Sequence, residues 1–355
     1  MTSTTGWDGD VRNDKAGMRH PRPRRRHRAR RIVIVGLLVL ALLAVGTGAG
    51  YFAFLNWRVS NNLTYRELLS DKEILGENRP VQPAPVERPQ SAGDARNFLV
   101  IGSDTRDPDA ERGRSDVIVI MHVSDDRERV DLIHFPRDYF VDIPGSDRKN
   151  KINASYSIGG APLLVETLKP LLGVPIDQVA VVDFDSFKAM TDSIGGVQVN
   201  VAEGSPGFPA GMQQMNGATG LQFVRERYAL SQGDISRGQR QQAFIKAIML
   251  RALLRETLTN PARFASFVDA ATTNLTVDDD LDMGEMRTLA LSMRGVRGDD
   301  INFVTAPWKG IGSDSYAGSI INPAPEQLDV LKAHLQNDTM ADYSDPVSPT
   351  SGFGR

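Results

Sequence analysis

Cysteine is absent from all 355 residues. Disulfides, thiolate metal sites and cysteine nucleophiles are thereby excluded, and any folded part must be held by its core. Histidine is scarce: His20, His27, His122, His134 and His334 show no metal-ligand spacing, and His122 and His134 fall in runs that read as strands. No Gly-x-Ser-x-Gly occurs, which removes the usual serine-hydrolase elbow. The run Gly46-Thr-Gly-Ala-Gly50 lies inside a long apolar segment, so it is not a dinucleotide loop. No internal repeat is present.

With 41% hydrophobic residues the chain can bury a full core, and its length suits one or two domains. The net charge of -3 hides an imbalance, because residues 1–31 carry ten Lys/Arg against three Asp and the remainder sums to -10. Arginine outnumbers lysine 32 to 9, a bias of composition, so only arginine placement carries information.

The 24 residues Ile32 to Leu55 lack any charge. As a helix they reach roughly 36 Å, enough for a hydrocarbon core about 30 Å thick. The preceding run, Arg22-Pro-Arg-Arg-Arg-His-Arg-Ala-Arg-Arg31, places the N-terminus in the cytoplasm by the positive-inside rule, and Tyr51, Phe52 and Trp57 suit an interfacial belt. A cleaved signal peptide would have an apolar core of about 7 to 15 residues and a small-residue cleavage site, neither of which fits. A basic tail can also bind nucleic acid, but beside a membrane span the topological reading is preferred and no nucleic-acid partner is expected.

These features divide the chain into a basic cytoplasmic tail (1–31), a transmembrane helix (32–55), an extracytoplasmic stalk (56–96), a folded domain (97–338) and a loose tail (339–355). Arg79-Pro-Val-Gln-Pro-Ala-Pro-Val-Glu-Arg-Pro89 favours an extended spacer, with a short helix within 59–75. In the domain, Phe98 to Ile101, Val117 to Val123, Val130 to Phe135, Val179 to Asp183, Val197 to Val201 and Ile301 to Thr305 read as strands. Helices are expected over 162–172, 186–194, 218–227, 237–258, 283–293 and 325–335. Strands interleaved with helices predict an α/β layer fold.

Four charged clusters fall at expected strand ends or helix faces: Asp104-Thr-Arg106, Arg114-Ser-Asp116, Pro136-Arg137-Asp138, and Arg225-x-Arg227 with Asp234, Arg237, Arg240, Gln241 and Gln242. Loops converge at strand ends in α/β sheets. Arginine forks bind phosphate oxygens in pairs, and paired aspartates hold Mg²⁺ beside them. With Lys151, the set describes a pyrophosphate site. Each cluster also has a plainer reading: Asp116 as a turn or cap, Asp104-Thr-Arg106 as a surface turn, Arg225 and Arg227 as a solvated helix face.

In order and spacing, Gly102-Ser-Asp-Thr-Arg106, Gly113-Arg-Ser-Asp116, Phe135-Pro-Arg-Asp138, Lys151-Ile-Asn-Ala154 with Tyr156, Asp177 to Asp183, Gly195-Gly-Val197 and Arg225-x-Arg-x6-Asp-x2-Arg-x2-Arg-Gln-Gln242 resemble the LytR-CpsA-Psr family over about residues 96–255. Phe135, and Ser157-Ile158 after Tyr156, depart from its usual pattern. The resemblance implies a central, mostly mixed β-sheet flanked by helices behind one transmembrane helix, on the outer side of the cell membrane.

It also implies a Mg²⁺ (or Mn²⁺)-dependent phosphotransferase that moves a glycopolymer of teichoic acid, capsule or arabinogalactan type from a polyprenyl pyrophosphate to peptidoglycan. Positions matching Asp104 and Asp116 serve the metal, and those matching Arg114, Arg137, Lys151, Arg225, Arg227, Arg237 and Gln241 surround the pyrophosphate. Arg240 joins them on charge and spacing. Arg114, Arg137, Arg225, Arg227 and Asp234 are the catalytic candidates, Asp234 either orienting an arginine or taking a proton. Phe184, Phe187, Phe223, Phe244 and Ile248 line a prenyl tunnel in this reading or, equally simply, form core. Two other functions fit the same residues: a polyprenyl-pyrophosphate phosphatase and a non-enzymatic lipid-binding surface regulator.

Overall fold

The computed structural model describes residues 47–69, 86–103, 115–231, 233–273 and 275–345. The chain divides after Phe54 into two compact units, and the second, Leu55–Arg355, holds all of the β-structure among the described residues. Residues 47–62 are helical (α1), so of the expected membrane span only 47–55 is described. Among the described residues no helix is long and apolar enough to cross a membrane. The cytoplasmic tail, the proline-rich segment up to residue 85 and residues 346–355 lie outside the described residues.

The strands are β1 (Thr64–Arg66), β2 (Arg96–Ser103), β3 (Ser115–Val123), β4 (Val130–His134), β5 (Phe140–Val141), β6 (Asn150–Lys151), β7 (Gln178–Asp183), β8 (Val197–Val201), β9 (Gly211–Met215), β10 (Thr276–Asp278), β11 (Ile301–Thr305), β12 (Trp308–Asp314) and β13 (Gly318–Pro323). The helices after α1 are α2 (Ile152–Leu172), α3 (Phe184–Ser193), α4 (Gly217–Arg225), α5 (Asp234–Leu253), α6 (Arg255–Leu258), α7 (Pro261–Thr272), α8 (Met283–Ser292) and α9 (Pro325–Gln336).

Seven strands form the central mixed sheet in the order β1-β10-β7-β2-β3-β4-β11. β2 and β7 are parallel, as are β4 and β11, while β3 runs against both its neighbours. Alternation along the strands covers both faces with helices, the α/β arrangement that the strand pattern predicts. Leu99, Ile101, Ile118, Ile120 and Ile133 bury one face against Leu163, Leu164 and Leu168 of α2 and Leu331 and Leu335 of α9. Phe98, Val119, Leu132 and Ile301 bury the other face, with Ile245 and Met249 of α5 and Met286 and Leu289 of α8. Each such aliphatic side chain contributes about 1.5–3 kcal/mol.

Several sequence expectations need correction. The stalk is partly folded: β1 pairs with β10 at the sheet edge, Leu68 is buried, and Arg58 binds Asp269 of α7 at 2.8 Å. Further along, Ala92 and Ala95 are buried and Arg88 pairs with Asp177. These anchors lie on either side of the proline-rich stretch, most of which is outside the described residues, and they carry no periodic pattern of their own. Residues 339–345 are likewise packed: Met340 is buried and Asp345 accepts from the Thr305 N–H.

The helix expected over 162–172 begins at Ile152 and is broken at Gly159 and Gly160 (φ +64°), ahead of Pro162. The helix expected over 237–258 starts at Asp234 and breaks at Leu254. Val197–Val201 is not in the central sheet but pairs with β9 in a separate hairpin. That hairpin, α3, α4 and one side of α5 enclose a second core around Phe223 and Phe244.

Candidate active site

Strand direction assembles one end of the sheet. The C-terminal ends of β2, β4, β7 and β11 and the N-terminal end of β3 meet there, because Ser103 pairs with both Ser115 and Asp183, and Val119 with His134. The chain leaves β4 through Phe135 and Pro136 into a turn at Arg137 and Asp138. Ile321 of β13 donates to the Asp138 carbonyl at 2.9 Å, and the buried Tyr139 hydroxyl donates to the Pro307 carbonyl at 2.6 Å. Burial pushes the Tyr139 phenol well above its usual pKa, so it stays a neutral donor. The β12–β13 hairpin thus braces the turn.

From this turn the Arg137 Nη1 reaches the Asp116 carboxylate of β3 at 2.8 Å. Its Nε lies 3.8 Å from Asp138, whose same oxygen is 3.2 Å from Lys151 Nζ. Lys151 is brought there because β6 pairs with β5 and its backbone caps α2. Asp116, Arg137, Asp138 and Lys151 form one row of alternating charge, with their side chains partly buried. Asp138, which the sequence places in a charged cluster and in the Phe135-Pro-Arg-Asp138 motif without a role of its own, links the two cations.

Arg225 reaches the same end from α4, its guanidinium 4.1 Å from the Phe184 ring just past β7. The expectation that Arg225 and Arg227 share one helix is corrected: α4 ends at Arg225, and Glu226 is extended. Arg227 stands in the following loop, stacked at 4.7 Å on Tyr228 and donating to its hydroxyl. Tyr228 is 87% exposed.

Helix α5 crosses the ends of β4 and β11. A side chain at Gly238 would meet the His134 ring at 2.6 Å, and Gln242 donates to Thr305 at 3.2 Å. Arg237 and Gln241, four residues apart, share a face of this helix and are both buried. Gln241 reaches the Val224 carbonyl, in the last turn of α4 beside Arg225. Asp234 is the first residue of α5; the roles read for its side chain lie outside what is described.

Arg240 departs from expectation. It is 5% exposed and already engaged by the loop after β8: Nη2 donates to the Glu203 carbonyl at 2.8 Å and Ser205 Oγ at 2.9 Å, and the guanidinium stacks 4.5 Å from Phe223. Burial lowers its pKa, partly offset by Glu203 and Glu226. Spacing on a helix could not reveal this, since charge says nothing of which face packs.

The tunnel residues also divide. Phe223 and Phe244 are fully buried, their rings 6.5 Å apart, and Ile248 joins the same core, whereas Phe184 and Phe187 are half-buried. Asp183 caps α3 by accepting from the Ser186 N–H, and Asp177 receives the Asn97 N–H and Arg88. These two motif aspartates therefore serve the fold.

Asp104 and Arg114 lie outside the described residues. Ser103 and Ser115, the residues before Asp104 and Asp116, are paired in the sheet. Asp116 offers a hard oxygen donor at this end, the chemistry Mg²⁺ takes.

The LytR_cpsA_psr family model matches residues 63–337. The chain belongs to this family. The match extends beyond the motif-bearing stretch in both directions, taking in β1 and α9. The chain is 26% identical to the cell wall biosynthesis protein LcpA of Corynebacterium glutamicum, over 86% of this chain and 64% of LcpA. It therefore spans a little under two thirds of that relative. It is 28% identical to the polyisoprenyl-teichoic acid–peptidoglycan teichoic acid transferase TagU of Enterococcus faecalis, over 75% of this chain and 84% of TagU. Among solved structures, B. subtilis TagV superposes with a TM-score of 0.58 at 25% identity, over 70% of this chain and 98% of TagV. The LytR-Csp2A-Psr enzyme from Actinomyces oris superposes at 0.56 and 22% identity, over 73% and 96% of the two chains. As a LytR_cpsA_psr protein, the chain has the mixed α/β sheet of these structures.

Proposed function

We propose that this chain is a transferase that moves a glycopolymer from a polyprenyl pyrophosphate onto peptidoglycan. The observation that carries the reading is the row of Asp116, Arg137, Asp138 and Lys151, toward which α4 and α5 bring Arg225, Arg237 and Gln241. Transfer between phosphate esters needs charge neutralisation and alignment more than covalent help, which is what converging cations provide. TagU is named for this transfer, and its likeness to the chain supports the reading.

Arg114, Arg137, Lys151, Arg225, Arg227, Arg237 and Gln241 hold the pyrophosphate oxygens. A muramyl hydroxyl oxygen bonds to the sugar-bearing phosphorus while the bond from that phosphorus to the bridging oxygen breaks. The bridging oxygen keeps the electron pair and leaves as polyprenyl monophosphate. The hydroxyl proton passes to a carboxylate, for which Asp234 is the candidate. Asp104 and Asp116 would hold Mg²⁺ (or Mn²⁺), whose charge would offset that of the pyrophosphate. Phe184, beneath Arg225, and Phe187 are where the first prenyl units would lie.

The anchor over 32–55 keeps the domain at the outer membrane face, where a lipid-linked donor and the wall are both in reach. The deciding experiment incubates the full chain in detergent with a polyprenyl-pyrophosphate disaccharide, Mg²⁺ and a peptidoglycan oligomer, followed by mass spectrometry. Coupled glycan–peptidoglycan and polyprenyl monophosphate are expected. Lipid cleaved equally well without acceptor makes the protein a phosphatase, and lipid recovered intact makes it a binding protein.

A further inference from the structure

The loop after β8 carries a carboxylate that no motif marks. Glu203 accepts from the Ser231 backbone N–H through Oε1 and from the Ser236 hydroxyl through Oε2, at 2.7 Å. The two donors lie on either side of Gly233, whose φ of +54° turns the chain from the Arg227 loop into α5. Ser231 is four residues after Arg227, and Ser236 immediately precedes Arg237. One carboxylate therefore spans the connection between two arginines of the candidate site.

Glu203 is itself held. Arg240 donates to its carbonyl and to Ser205, so the loop is tied to α5 one turn beyond Ser236. Glu226 shapes the Arg227 loop locally by accepting from the Tyr228 and Ala229 N–H groups, at 2.8 and 3.2 Å. Glu203 ties the end of that loop to the hairpin through the Ser231 N–H. Partial burial pushes its carboxyl up, but the bonds from Ser231 and Ser236 and the charge of Arg240 outweigh this and leave its pKa below the usual carboxylate value. It is thus an anion at neutral pH, and hydrogen bonds to an anion are about twice as strong as neutral ones.

We propose that Glu203 is a positioning residue that sets the spacing of Arg227 and Arg237 at the phosphate-binding end, an inference that rests on the transferase reading above. It touches no substrate, and it acts through the two arginine-bearing segments. A wrong spacing of about 1 Å between groups that grip one ligand can cost up to about a hundredfold in rate.

Glu203→Gln keeps the size of the side chain but leaves one acceptor oxygen where there were two. In the full chain, affinity for inorganic pyrophosphate, read by calorimetry, is expected to fall roughly tenfold. Hydrogen exchange across 226–236 should speed up by about the same factor, with Tm within about 2 °C of the parent. With the lipid donor, KM should rise more than kcat falls. Ser236→Ala, which removes one of the two bonds, should shift affinity and exchange in the same direction by a smaller factor, and it carries the test should Glu203→Gln not fold.

Unchanged pyrophosphate affinity and unchanged exchange in the variant would overturn the proposal. So would an affinity loss seen only together with a global fall in Tm. A parent chain that binds pyrophosphate but turns over no donor lipid removes the transferase reading and leaves the role of Glu203 to be judged on affinity and exchange. A parent chain that binds no pyrophosphate overturns both.

Discussion

Arg137 and Asp116 are joined at 2.8 Å although 21 residues separate them, because β3 and β4 are antiparallel neighbours and bring the start of one beside the end of the other. The pair ties the residue read as a metal ligand to one read as a phosphate ligand. Asp116→Ala should remove the carboxylate and leave Arg137 unrestrained on that side. Transfer is expected to fall by roughly 10²-fold or more, and Arg227→Ala should do the same, with circular dichroism unchanged for both. Wild-type turnover in both purified variants would place the active site elsewhere.

Arg240 gives the opposite expectation. Its guanidinium holds the loop after β8 and stacks on Phe223 in a buried setting, so Arg240→Ala should cost about 2 kcal/mol of stability. Urea unfolding measures this directly. Arg240→Lys should not restore it, since an ammonium lacks the planar fork and the stacking surface. Loss of turnover with undiminished stability would return Arg240 to the phosphate site.

Asp278 is 1% exposed and accepts from the Leu68 and Leu69 N–H groups at 2.6 and 3.0 Å. Burial raises its pKa, and Asp279 and Asp280, whose carboxylate oxygens lie within 4.8 Å, add to the effect. A folded pKa above the unfolded one means that the stability linked to this proton is present at low pH and is lost as pH rises through the folded value. Asp278→Asn keeps an acceptor and removes the charge. Its Tm should exceed the parent's at neutral pH, and the difference should shrink on acidification through the carboxylate range. A lower Tm at neutral pH would show that the charge itself is needed.

Gly220 of α4 is required by packing. A side chain there would meet the Phe244 ring at 2.1 Å, and Phe244 is fully buried in the core beneath α4. Gly220→Ala gains helix propensity but must displace that ring, at a net cost of about 1–3 kcal/mol. Thermal unfolding checks the sign. Stabilisation would mean that the ring yields freely.

Some of this protein was settled by its sequence alone. Apolar runs such as Val117 to Val123 and Val130 to Phe135 specify strands because a buried strand has no choice but to be apolar, and the motif series placed charged residues at the ends of those runs, before the first and after the second. The α/β class, five of the sheet's seven strands and the Arg137–Lys151 neighbourhood were legible for that reason. The short or polar strands β1, β10, β12 and β13 were not, since their stability comes from partners far along the chain rather than from their own pattern. Tertiary structure alone decided which cations meet: Arg137 faces Asp116 because of strand direction, Arg240 turns into the loop after β8 because that side of α5 is packed, and Glu203 bridges Ser231 and Ser236 because a hairpin folds back over them. Charge and spacing fix what a residue can bind, but only packing fixes what it can reach.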